Sequence, residues 1–133
     1  MKYALLVLDS PASGTANATA ARFAHALQAR GHQLSCVFFY DAAAETGLSS
    51  RVSMQGELDT VQLWRDLAET TGAELVLCIA SALRRGVLDA NEADRHEKRA
   101  STLDPAFTIA GLGRLVEASA EADRLITFGG ARA

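Results

Sequence analysis

Short runs of consecutive apolar residues alternate along this chain with stretches whose apolar residues recur every three or four positions. "KYALLVL" (2–8) has the continuous pattern of a strand buried on both faces of a parallel sheet. The turn-forming loop "DSPASGT" follows it. Next, "TANATAARFAHALQAR" (15–30) places Ala20, Phe23, Ala24 and Leu27 at helical spacing, and Gly31 supplies a C-terminal stop. "QLSCVFFY" (33–40) predicts a second buried strand, and "DAAAETGLSSRVSMQG" (41–56) a polar connection. A second helix is expected in "ELDTVQLWRDLAETT" (57–71), with Leu58, Val61, Trp64, Leu67 and Ala68 on one face and a stop at Gly72. "ELVLCIA" (74–80) predicts the third strand.

Beyond that point the pattern loosens. "DANEADRHEKRAS" (89–101) is strongly charged and predicts at most a short surface helix. "FTIAGLGRLVEASAEA" (107–122) predicts a short extended lead-in to a helix, and "DRLITFG" (123–129) a last strand. There is no internal repeat and no low-complexity tract. The alternation of strand and helix predicts one α/β domain over residues 1–133, a three-layer α/β/α sandwich around a mainly parallel sheet. Ligands and reactive groups of such folds gather outside the carboxyl ends of the strands. That rule directs attention to the positions after Leu8, after Tyr40 and around Cys78.

Composition narrows the function classes. With 133 residues, 49% of them hydrophobic, the chain buries a core without disulfide or metal staples. A net charge of −3 argues against general nucleic-acid binding, which needs a basic stripe, and against attraction to anionic membrane. Asp9 interrupts the apolar start before any signal-peptide core forms, and no run approaches the ~20 residues of a membrane span. A cytoplasmic protein is expected. Cys36 and Cys78 lie far apart without CxxC spacing, which fits a reducing compartment. His25, His32 and His96 are scattered, so neither a zinc site nor any other metal or cofactor is expected.

Three places carry candidate chemistry. The loop "SPASGTANAT" offers Ser10, Ser13, Thr15 and Thr19 near a helix N-terminus, where a phosphate can be held. It matches neither glycine-rich phosphate fingerprint, and turn chemistry with N-capping accounts for it. A flavodoxin-like FMN site is the alternative, but it needs flanking aromatics, and Phe38, Phe39 and Trp64 occupy core-like positions. Cys36, in mid-strand, is expected to pack as a small hydrophobe. Cys78 falls late in its strand, near the carboxyl edge. Small residues follow it (Ala80, Ser81, Ala82), and then Arg84 and Arg85. Cations near a thiol lower its pKa from ~8.5, so the two arginines are candidates to ionise Cys78. The sequence places no histidine or acid beside it as a general base, which argues against a Cys–His nucleophile. A thiol without a base suits thiol exchange or sulfur transfer, where sulfur is the cargo. A buried structural cysteine is the competing reading.

"CIASALRRGVLDANEADR", "FTIAGLGRLVEA", the opening "MKYALLVLDSPASGTANATAARFAHAL" and "GHQLSCVFFY" together resemble the TusD/DsrE group of sulfur-relay proteins, from Met1 to about Phe128. The cysteine followed by "ALRRGV" is the most specific part. The resemblance implies that Cys78 carries a persulfide as a sulfurtransferase subunit. It implies an upstream TusA-like carrier and a small downstream acceptor, TusE- or DsrC-like. In the TusD branch the end product is 2-thiolated wobble uridine in tRNA, and in the DsrE branch the pathway is dissimilatory sulfur oxidation. It further implies assembly with TusB- and TusC-like paralogues into a heterohexamer, with no direct contact to nucleic acid or membrane. Phe107, Ile109 and Leu112 are candidates for that interface, with simple packing on the sheet as the equal alternative.

Overall fold

Five parallel strands are ordered β4-β3-β2-β1-β5 across one sheet. A computed structural model of the protein describes residues 1–130. The chain runs through β1 (Lys2–Val7), α1 (Ala16–Ala29), β2 (Gln33–Phe39), a 3-10 helix (Asp41–Gly47), α2 (Thr60–Thr71) and β3 (Glu74–Cys78). It continues through α3 (Ile79–Arg84), α4 (Ala90–Arg95), β4 (Thr108–Ala110), α5 (Leu112–Glu121) and β5 (Arg124–Phe128). The three-layer sandwich is as expected. Its strand order differs from the 2-1-3-4-5 order of flavodoxin.

The order dictates the layers. Strands β1 to β4 step in one direction, so right-handed crossovers place α1, α2 and α3 on one face. The step from β4 to β5 reverses direction and places α5 on the other. The two cores follow. On the first face Ala20, Ala24, Trp64, Leu67 and Ala82 pack on Leu5, Val37, Phe39, Leu75 and Leu77. Beneath α5 a smaller core joins Ala118 to Ala4, Cys36, Phe38, Val76 and Cys78. The sheet is therefore covered by α1, α2 and α3 on one side and by α5 on the other.

Local signals set the helix limits. Asp59 caps α2 by accepting from the Gln62 N–H at 3.0 Å, and Gly72 ends it in the left-handed conformation at φ 75°. Asn17, fully buried, ties three elements together. Its Nδ2 donates to Asp9 O and to Thr46 Oγ1, both at 2.9 Å, and its Oδ1 accepts from Trp64 Nε1 at 2.9 Å. The Trp64 ring meets Phe39 edge-on at 5.2 Å, and Phe39 in turn meets Phe107 at 5.6 Å.

Four features depart from the sequence expectations. The connection 41–56 begins with a 3-10 helix whose Ala43, Ala44, Thr46 and Gly47 are buried, because an alanine-rich start can pack where a polar loop cannot. The third strand stops at Cys78, and residues 79–84 coil into α3. Ser81 and Ala82 are thus buried helix residues and not open space beside a thiol. Phe107 and Ile109 pack on the larger core, so of the three interface candidates only Leu112 is exposed. Finally, β2 carries a bulge at Ser35: Tyr3 pairs with Leu34 and Ala4 with Cys36. The bulge turns Leu34 to the larger core and Cys36 to the smaller one, although they lie two residues apart.

Candidate functional site

In open parallel sheets ligands bind outside the carboxyl ends of the strands. At that edge the neighbours β3 and β4 send their connections to opposite faces. From β3 the chain leaves towards α3 on the face of α1 and α2, and from β4 towards α5 on the other. Cys78 is the last residue of β3, and its register partner is Ala110, the last residue of β4. The topology therefore places the thiol at the fork itself. Its side chain joins the smaller core beneath α5, and the residue is 2% exposed. Its backbone starts α3, but its sulfur makes no capping hydrogen bond.

The arginines are separated by the structure. Arg85 is engaged by acids on the 3-10 helix: its Nη2 pairs with Asp41 Oδ1 at 2.9 Å and its Nε lies 3.9 Å from Glu45 Oε2. Its Nη1 also reaches the Ser81 carbonyl at 3.4 Å. Asp41 closes the tie by donating its N–H to Ser81 Oγ at 2.9 Å. Arg85 is thus a clamp between the turn after β2 and the helix after Cys78. Arg84, exposed at the end of α3, has no ion pair among the described residues. The sequence signal for the clamp was the acid pair Asp41 and Glu45, which spacing alone did not connect to position 85.

Cys36 behaves as expected of a core thiol. It is fully buried, and burial pushes its pKa up from 9.0 to about 11, against a smaller lowering by Arg114. In the serine- and threonine-bearing loop after β1, Ser10 is committed internally, while Ser13 and Thr15 are exposed. Ser10 Oγ donates to Glu45 Oε1 at 2.7 Å and accepts from Ala12 N–H at 3.1 Å. A carboxylate in that position disfavours a phosphate at Ser10. A cavity of about 310 Å³ opens beside this loop, between Pro11, Arg51, Leu58 and Val61, and neither cysteine lines it. Among the described residues no three His, Cys, Asp or Glu side chains gather as metal ligands, and no helix is long and apolar enough to cross a membrane.

A match to the DsrE/DsrF-like family spans residues 1–128. The chain belongs to the DsrE/DsrF-like family. Within it, a "Sulfurtransferase TusD homolog" from Pseudomonas aeruginosa is 43% identical over 132 residues, covering 99% of this chain and all of that protein. A "Sulfurtransferase TusD" from Salmonella typhi is 43% identical over 129 residues, 96% of this chain and all of the relative. A DsrE from Allochromatium vinosum is 40% identical over 97% of this chain and 99% of its own length. The crystal structure of the YchN protein from E. coli superposes with a TM-score of 0.74 at 21% identity, covering 96% of this chain and 98% of that one. That likeness concerns the fold: a DsrE/DsrF-like chain of this length forms one α/β/α sandwich.

Proposed function

We propose that this chain is a sulfurtransferase that carries sulfur as a persulfide on Cys78 and relays it to a small acceptor protein. The observation that carries the reading is the position of Cys78 at the fork between β3 and β4. The names of the relatives support the same chemistry. In loading, the Cys78 thiolate attacks the outer sulfur of a donor persulfide. The donor's S–S bond breaks, the donor leaves as a thiolate, and a new S–S bond forms on Cys78. In handover the acceptor thiolate attacks that outer sulfur and Cys78 leaves as thiolate. Each step exchanges one S–S bond for another, so neither oxidant nor reductant is consumed.

The relay serves 2-thiolation of tRNA wobble uridine in the cytoplasm, with a TusA-like donor, a TusE-like acceptor and TusB- and TusC-like paralogues in a heterohexamer. The DsrE branch shares the cysteine chemistry, and identities of 43% and 40% do not separate the two. Neighbouring genes do: thiouridine partners favour one branch, dissimilatory sulfite reductase the other. The test of the sulfur reading is intact mass after incubation with a cysteine desulfurase and cysteine. A gain of about 32 Da, one sulfur atom, is expected in the wild type and absent in Cys78→Ser. Loading that survives Cys78→Ser defeats the assignment.

A further inference from the structure

The register of β2 on β3 runs Cys36 to Glu74, Val37 to Leu75, Phe38 to Val76 and Phe39 to Leu77. The pairs alternate between faces: Val37, Leu75, Phe39 and Leu77 join the larger core, and Cys36, Phe38, Val76 and Cys78 the smaller. One step further, the same register sets Tyr40 abreast of Cys78. Tyr40 still has extended backbone, at φ −119° and ψ 152°, and its N–H donates to Val7 O at 2.9 Å, continuing the ladder on β1. Strand side chains alternate, so Tyr40 projects to the face that holds Phe38 and Cys78. Neighbouring strands lie about 4.8 Å apart, which makes Tyr40 and Cys78 side-by-side neighbours on that face.

The two flanks of Cys78 are unequal. On the β4 side stands Ala110, with a single methyl. On the β2 side stands Tyr40, which is 39% exposed where Cys78 is 2% exposed. An exposed aromatic residue on the strand beside a buried thiol is placed to stand between that thiol and solvent. Its backbone is held in place. The residue after Tyr40, Asp41, turns the chain at a left-handed φ of 57°, uncommon for a residue with a side chain. It is tied twice to α3, by its N–H on Ser81 Oγ and its carboxylate on Arg85, each at 2.9 Å. The segment that follows the ring is thereby pinned to the helix that follows the sulfur.

We propose that Tyr40 is the shielding residue of the sulfur site: its ring walls Cys78 on the β2 side, refuses small thiols, and leaves the Ala110 side for a partner's thiol. The inference rests on the persulfide reading of Cys78. The reaction it suppresses is attack of a small thiol on the outer sulfur, which yields the small-molecule persulfide and the bare Cys78 thiolate. No other reactant enters.

Two measurements on the full chain test it. In the first, protein loaded by desulfurase and cysteine is mixed with glutathione, and loss of sulfur from the Cys78 peptide is followed by mass spectrometry. Tyr40→Ala is expected to lose sulfur at least tenfold faster than wild type, and Tyr40→Phe and Tyr40→Trp at the wild-type rate or slower. In the second, unloaded protein is alkylated with iodoacetamide, and Cys78 is expected to follow the same order. Melting temperatures are compared alongside, and Tyr40→Phe and Tyr40→Trp keep the comparison valid if the alanine variant is unstable. Equal rates in wild type and Tyr40→Ala overturn the proposal, as does a phenylalanine variant that behaves like alanine. If wild-type Cys78 takes up no sulfur, the proposed function fails, while the alkylation rates still decide whether Tyr40 shields the thiol.

Discussion

The two thiols of this chain share one small core but occupy different places in their strands. Cys36 lies in mid-strand, re-aimed by the bulge at Ser35, and burial raises its pKa from 9.0 to about 11. A folded-state pKa above the ordinary value means the folded chain holds that proton longer than the unfolded one. The stabilisation is complete below pH 9 and is lost as pH rises towards 11. Urea unfolding measured from pH 8 to about 11 is therefore expected to show a decline that is shallower in Cys36→Ala than in wild type. Parallel curves would remove burial as the cause. The difference in position between the cysteines was legible in the sequence, since one sits within an apolar run and the other towards the carboxyl end of its own. The contribution of Arg85 was not legible. Its pairing with Asp41 and Glu45 joins residues about forty positions apart, which only the register of β2 on β3 brings together.

At the scale of elements, the strands and the three longer helices declare themselves by periodicity. The pieces that frame the site do not: the 3-10 helix has seven residues and α3 and α4 six each, too short for a period to repeat. Helix α3 also begins inside what reads as apolar strand, so the strand was expected two residues too long. Asn17 shows how these pieces are held. Replacing it with alanine leaves Trp64 Nε1–H and Thr46 Oγ1 without their buried partner, a loss of about 2–3 kcal/mol expected from denaturant unfolding. A cost under about 0.5 kcal/mol would mean that water replaces the amide. Gly47 is a second checkpoint. A Cβ there would run into the buried Leu77 Cδ1, so Gly47→Ala is expected to destabilise by about 1–3 kcal/mol through overpacking. An unchanged unfolding midpoint would show that the Leu77 side chain yields freely.

At the scale of the molecule the sheet is covered unequally, with α1, α2 and α3 on one face and α5 on the other among the described residues. On the α5 side Leu112 and Val116 of α5 and Leu125 of β5 are exposed, beside the core that holds Cys78. The heterohexamer proposed above would cover such a surface. Co-expression with TusB- and TusC-like paralogues is expected to yield a larger complex by light scattering. Val116→Glu is expected to weaken it with stability changed by less than about 0.5 kcal/mol, as for other surface substitutions. A complex indifferent to that charge would place the interface elsewhere. All of this matters only if sulfur moves through Cys78. The most direct measurement is a chase: chain loaded with sulfur is purified, mixed with a TusE-like acceptor, and both proteins are mapped by peptide mass. The account predicts that the extra mass of about 32 Da leaves the Cys78 peptide as it appears on the acceptor cysteine. Sulfur that resides on Cys36, or that stays on Cys78 while the acceptor remains bare, would contradict it.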